Sequence, residues 1–283
     1  MWVIAHLGAG NQKEDPKLHH LLRHSVIPKY TSTTTVVSCM KALEESGLVN
    51  CGIGRFNETG DAMLFNGALG AVTGTTTRFP FQVAKVLYEQ PMVKSNLIVP
   101  RMVFGDEWAI QHGLYEAFST EKEDDPLQAH DTVGCIAMNE QVCIGTSSGG
   151  PIFKCSSRVG SSALYGSGAY YLNANNVKVS ITTTGNGEQI LISQFAVHFC
   201  YTVAHSTDLH ASIDQLLKDF CHEQATRPLL GFIALVQSSH DYMIYGHTTP
   251  SFYVGYYHTK AKTIYSKNLG AYTFGMIPIP SYR

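Results

Sequence analysis

The sequence predicts an α+β fold in which sheets and helices occupy separate layers. Three observations predict it. Short apolar runs bounded by turn residues mix with stretches of helical periodicity, and the two kinds gather in blocks rather than alternating as βαβ units. The 283 residues are 44% hydrophobic and 15% charged, which is enough apolar material for a large buried core. No internal repeat or low-complexity linker divides the chain, so a single domain over residues 1–283 is expected.

Taken in order, residues 2–6 (Trp2 to His6) read as a strand that enters the small-residue turn His6-Leu7-Gly8-Ala9-Gly10. Pro16 suits the first position of a helix that carries His19, His20 and His24. His20 and His24 stand at i and i+4. No glutamate or third ligand completes a metal set there, and surface histidines are the simpler reading. Residues 32–46 place Val36, Val37, Met40 and Leu43 at helical spacing. Residues 47–60 are punctuated by glycine, and residues 62–72 suggest close-packed strands. Residues 79–89 and 106–117 read as helices. Residues 132–138 and 142–146 pair across Asn139-Glu140-Gln141 as a hairpin. Residues 185–199 and 206–224 read as two helices, the second with Leu209, Ile213, Leu216, Leu217 and Phe220 on one side. Residues 231–236, 242–245 and 252–257 are short strands.

Composition narrows the function. A formal net charge of −2 leaves no electrostatic footprint for nucleic acid or an anionic membrane, and no apolar run approaches the span of a bilayer. The seven cysteines are scattered without a CxxC, which suits a reducing compartment, so cytosol or nucleus is expected. Residues 1–5 lack the basic start and long apolar region of a signal peptide. No cofactor and no metal is expected.

The richest stretch is His130-Asp131-Thr132-Val133-Gly134. Residues 119–130 are polar, carry Glu121-Lys122-Glu123-Asp124-Asp125, and read as an exposed loop. An apolar strand follows at once. Asp-Thr is a common way to leave a turn and enter a strand, because both side chains bond the local backbone. It is also where a chain could cut itself and free a threonine whose hydroxyl carries its own amine base.

Three other patterns carry chemistry. Gly145-Thr146-Ser147-Ser148-Gly149 satisfies the G-x-S-x-G pattern, but Gly150-Pro151 follows where a nucleophile elbow needs a helix. Thr182-Thr183-Thr184-Gly185-Asn186-Gly187-Glu188 opens a helix. That start could cradle a phosphate, stabilise an oxyanion, or simply be capped, with Glu188 in the first turn. Arg158 lies in a glycine-flanked, otherwise uncharged stretch and is either a carboxylate-binding fork or a surface arginine.

Read together and in order, His6-Leu7-Gly8-Ala9-Gly10, Asn50-Cys51-Gly52-Ile53-Gly54, Asp131-Thr132-Val133-Gly134, Ser148-Gly149-Gly150, Arg158-Val159-Gly160, Ala163-Leu164-Tyr165-Gly166-Ser167-Gly168 and Thr184-Gly185-Asn186-Gly187-Glu188 resemble the type-2 asparaginase family of N-terminal-nucleophile hydrolases. Thr248-Thr249-Pro250-Ser251-Phe252-Tyr253-Val254-Gly255-Tyr256 looks like that family's last strand. Within the family the chain looks most like the taspase (threonine aspartase) branch, because Ser148 stands where asparaginases carry threonine and Ala163-Leu164-Tyr165-Gly166 matches.

The resemblance implies a four-layer αββα sandwich and self-cleavage between Asp131 and Thr132, giving subunits 1–131 and 132–283. It implies Thr132 as nucleophile, Ser148 as a hydroxyl bonded to it, Thr184 and Gly185 as the oxyanion hole, and Arg158 as the binder of a substrate carboxylate. It implies a protein or peptide partner with an aspartyl residue, and a homodimer of cleaved heterodimers.

Three departures mark a divergent member with weakened activity. Ser161 replaces the aspartate that binds the free amine of an amino-acid substrate, which favours an endopeptidase over an asparaginase. The stretch from Asn50 to Gly67 is short, and so are the loop before Asp131 and the hairpin at Asn139-Glu140. The alternatives are an asparaginase or β-aspartyl (isoaspartyl) peptidase, an uncleaved non-catalytic descendant, and a serine hydrolase built on Ser147.

Overall fold

The computed structural model describes residues 1–54, 59–89, 101–104, 132–151, 154 and 158–280. The expected helix over 106–117, the expected loop over 119–130, and Asp131 lie outside the described residues.

Two sheets stack face to face. The larger holds eight strands in the order β12-β11-β1-β5-β6-β2-β3-β4. In chain order these are β1 (Trp2–Gly10), β2 (Gly60–Phe65), β3 (Leu69–Thr75), β4 (Arg101–Phe104), β5 (Val133–Met138), β6 (Val142–Ser148), β11 (Ser251–Tyr257) and β12 (Ala261–Lys267). The smaller has the order β13-β10-β9-β8-β7, with β7 (Ala169–Ala174), β8 (Val177–Gly185), β9 (Leu230–Gln237), β10 (Asp241–His247) and β13 (Thr273–Ile279). All pairings are antiparallel except β3 with β4.

Helices cover both outer faces. Among the described residues three pack on the larger sheet: α1 (Pro16–Ser25), α2 (Ser32–Glu45) and α3 (Pro80–Glu89). Asp15 caps α1 by accepting Lys17 N–H, and Thr31 with Thr34 forms a reciprocal capping box on α2. Val36, Cys39, Met40 and Leu43 are the buried stripe of α2, as their spacing predicts. On the smaller sheet lie α5 (Phe195–His205) and α6 (Leu209–Glu223), with Ile213, Leu217 and Phe220 inward. The short α4 (Gly187–Ser193) precedes them.

This is an αββα sandwich with three apolar layers. The central strand β5 shows why its sequence does not alternate. Val133, Cys135 and Ala137 pack toward the helices, while Ile136 and Met138 pack between the sheets. Both faces are covered, so every position is apolar or small.

The structure corrects the reading of residues 182–199. Thr182 and Thr183 do not open a helix. They belong to β8, and the helix begins at Gly187 under an Asn186 cap whose side chain accepts Gln189 N–H at 3.0 Å. The expected helix over 185–199 is two helices, parted at Gln194, which adopts φ 48°. The β7–β8 hairpin turns on Asn175 and Asn176, both at positive φ, the residue type that best tolerates the left-handed region. Of the histidines on α1, His20 and His24 lie with ring centroids 4.0 Å apart and their planes tilted by 37°.

Among the described residues, two other histidines are buried. His6 lies between the sheets against Phe252, with its Nδ1 accepting Gly8 N–H, and burial lowers its pKa to about 3. His247 bonds Thr249 O and Ser266 Oγ, and burial lowers its pKa to about 4 against the opposing pull of Thr249. Unfolded, each ring protonates near 6.5. Between that value and the folded ones the unfolded state holds more protons. Both contributions are therefore complete above pH 6.5 and are lost as pH falls toward 4 and 3, at about 1.4 kcal/mol per unit per ring. Urea unfolding at pH 7.5 and 5.5 should differ by about 2–3 kcal/mol, and His6→Asn should flatten that dependence. Equal stability at the two pH values would contradict it.

Candidate active site

Strand register assembles the site. Val133 of β5 pairs with Ser147 of β6, so Thr132, one residue earlier, falls opposite Ser148. On the other side of β6, Ser148 pairs with Asp61 of β2. Three neighbouring strands thus bring Thr132, Ser148 and Asp61 into one row. The end of β8 and the start of α4 complete a cavity of about 70 Å³. Its lining includes Thr132, Ser148, Arg158, Ser161 and Gly185, together with Asn50, Asp61 and Glu188.

The cavity therefore gathers five of the residues singled out in the sequence. Thr132 is buried. Ser148 Oγ accepts Gly150 N–H at 3.0 Å, which leaves its own hydroxyl proton to be donated. Asn50 holds the turn after β6, donating from its side chain to Gly150 O and accepting Gly149 N–H, both at 2.8 Å. Ser161 begins a 3₁₀ turn that is tied to β6 by Thr146 Oγ1 donating to Ser162 O at 2.5 Å. Gly185 adopts φ +127°, and a Cβ there would meet Leu229 O at 2.1 Å, so only glycine can carry the chain from β8 into the cavity wall. Thr184 is buried beside it, off the lining, and its Oγ1 finds no partner among the described residues. Asp131, the other half of the expected cleavage bond, lies outside the described residues.

Ser147 does not belong to the site. Its Oγ is buried and donates to Glu44 Oε1 at 2.5 Å, on the helix side of the sheet. The serine-hydrolase alternative has no accessible nucleophile there.

Two ion pairs frame the cavity, and neither was anticipated. Lys154 Nζ meets Asp61 Oδ2 at 2.5 Å with both side chains fully buried. Thr73 Oγ1 and Gly74 N–H donate to the other carboxylate oxygen at 2.6 and 3.0 Å. Arg158 makes a two-bond fork with Glu188. That bond holds the Glu188 carboxyl below the usual carboxylate range and raises the guanidinium further. No local pattern pairs residues 93 or 30 positions apart. The one legible hint is Asp61 itself, an acid inside an otherwise apolar strand.

Paired sheets between helix layers, with a threonine at the head of a central strand, define the class: an N-terminal-nucleophile-hydrolase fold. A family model described as asparaginase matches residues 106–265, more than half of the chain, and the chain belongs to that type-2 asparaginase family. The isoaspartyl peptidase of Escherichia coli (strain K12) is 32% identical over 193 residues, 54% of this chain and 57% of that protein. A probable isoaspartyl peptidase/L-asparaginase of Drosophila pseudoobscura pseudoobscura is 35% identical over 100 residues, 34% of this chain and 29% of that protein. The N(4)-(beta-N-acetylglucosaminyl)-L-asparaginase of Mus musculus is 34% identical over 80 residues, 28% of this chain and 22% of that protein. The matches therefore span from about a fifth to just over half of these relatives' lengths.

Proposed function

We propose that the chain is a threonine-type hydrolase that cuts itself before Thr132 and then hydrolyses peptide bonds after aspartate in protein substrates. In the first step Thr132 Oγ attacks the Asp131 carbonyl and the peptide nitrogen leaves as the amine of Thr132. Water then hydrolyses the resulting ester and releases the Asp131 carboxylate. The freed amine, with an expected pKa of about 7.7–8.0, accepts the hydroxyl proton in later turnovers and passes it to the leaving nitrogen. Ser148 orients the nucleophile, and Thr184 with Gly185 receives the oxyanion, a donor set whose single members are typically worth about 10²–10³ in rate.

The observation that carries the endopeptidase reading is the charge state of the cavity. Ser161 offers no charge to a substrate ammonium. The two acids of the lining are already committed, Asp61 to Lys154 and Glu188 to Arg158. A free amino acid would bury its ammonium without a partner, whereas a mid-chain aspartyl residue has an amide nitrogen instead. The two carboxyl groups of aspartate then exchange roles: the backbone carbonyl reacts and the side-chain carboxylate meets Arg158. The relatives' names favour the second reading, an asparaginase or isoaspartyl peptidase.

One experiment separates these. Purified protein is incubated for days, then examined by denaturing gel and intact mass, and assayed on an aspartyl peptide, L-asparagine and a β-aspartyl dipeptide. Fragments 1–131 and 132–283 with cleavage of the peptide are the expected result. Turnover of the free-amine compounds alone would establish the second reading. A chain that stays whole and inert defeats both.

A further inference from the structure

Arg158 carries five N–H donors arranged along two flanks. Glu188 occupies one flank, with Nε donating to Oε1 at 2.7 Å and Nη2 to Oε2 at 2.9 Å. No other hydrogen bond reaches the guanidinium from the described residues, so the Nη1–Nη2 flank is unengaged. Both side chains line the same cavity as Thr132 and Ser161. Gly187 closes the arrangement. A Cβ there would sit 2.8 Å from Arg158 Nη2 and 3.3 Å from Ser161 Oγ, so its absence lets the start of α4 pass directly beside the guanidinium. Glu188 is fixed in the first turn of that helix, and its side chain is 62% exposed while that of Arg158 is 20% exposed. The exposed acid thus grips the outer flank of a mostly covered base.

We propose that Glu188 is a positioning residue, which clamps the Nε–Nη2 flank of Arg158 and so presents the Nη1–Nη2 flank to a single substrate carboxylate. This rests on the cavity being the substrate site, and it assigns Glu188 to binding rather than to bond cleavage. An unclamped arginine has several rotamers to lose when it binds a carboxylate, whereas a clamped one is set in advance. The competing geometry is a latch, in which Glu188 stands in for the substrate carboxylate and must be displaced. The two differ in sign: removing a clamp weakens binding, and removing a latch strengthens it.

The test uses N-acetyl-L-aspartate, which carries the carboxylates and no amine, titrated calorimetrically into the full chain, as wild type, Glu188→Gln and Glu188→Ala. Glu188→Ala should bind about tenfold more weakly and Glu188→Gln less severely so, because the amide keeps one of the two bonds without the charge. Since Glu188 is largely exposed, the thermal midpoint should move by less than about 2 °C, separating positioning from folding. Where peptide hydrolysis is measurable, KM should rise while kcat changes less than about twofold. Unchanged or tighter binding in Glu188→Ala overturns the clamp, as does a wild type that does not bind the probe. Weakened binding in a protein that hydrolyses nothing leaves the clamp standing and defeats the hydrolase reading. Hydrolysis with KM indifferent to Glu188 does the reverse.

Discussion

Replacing Thr132 by alanine is expected to leave one uncut chain of 283 residues and to lower any hydrolytic rate by about 10⁴-fold or more. The size of the effect follows from a double use of one side chain. On the proposed mechanism the hydroxyl attacks the bond before it, and only that attack frees the amine that would later serve as base. Losing the hydroxyl removes the nucleophile and keeps the base locked in a peptide bond. The fold should survive, since the change deletes one methyl and one hydroxyl at the head of β5, where no main-chain pairing of Val133–Met138 is touched. Thr132→Ser, which keeps the hydroxyl, should still be cut, more slowly. Intact mass and peptide turnover decide the matter. A Thr132→Ala protein that is still divided, or is as active as wild type, would remove the basis for a threonine mechanism.

The second large effect concerns folding. Asp61→Ala should cost about 3–5 kcal/mol, because it breaks a fully buried ion pair by removing the carboxylate that faces the Lys154 ammonium. Thr73 Oγ1 and Gly74 N–H lose their acceptor as well. Against a typical total of about 5–15 kcal/mol, such a loss brings the protein close to unfolding at ambient temperature. The local damage falls on the site. Gly160 packs on the carboxylate so closely that a Cβ there would meet Asp61 Oδ2 at 2.2 Å, and Ser162 Oγ reaches Asp61 O at 3.4 Å. The segment carrying Arg158 and Ser161 therefore rests on Asp61. The double variant Asp61→Ala with Lys154→Met should recover part of the stability, since removing both charges removes the desolvation cost of each. Urea unfolding measures both. A loss below about 1 kcal/mol for Asp61→Ala would mean that the pair is solvated and structurally idle.

Much of the frame was legible before any coordinates. Pro16 as a helix start and the helical spacing of apolar residues after Ser32 became α1 and α2, and the apolar run after Thr132 became β5 with β6 across a three-residue turn. These signals are local. A proline at a helix start and a stripe spaced by 3.6 residues act within one element and need no partner elsewhere. The ordered glycine-flanked motifs likewise marked Thr132, Ser148, Arg158 and Gly185, the departure at Ser161 marked a fifth residue, and the fold gathers all five in one cavity.

Strand β8 escaped notice because Ser180, Thr182, Thr183 and Thr184 are polar yet buried, which hides its alternation and imitates a helix cap. Only the tertiary structure decided that Ser147 turns toward Glu44, that Lys154 neutralises Asp61, and that Glu188 holds Arg158. Those choices depend on which strands lie side by side and in what register. Caps and periodicity reach a few residues along the chain, whereas charges are paired by proximity in the folded interior. The sequence by itself named the groups with reactive chemistry, and the packing of two sheets assigned each of them its partner.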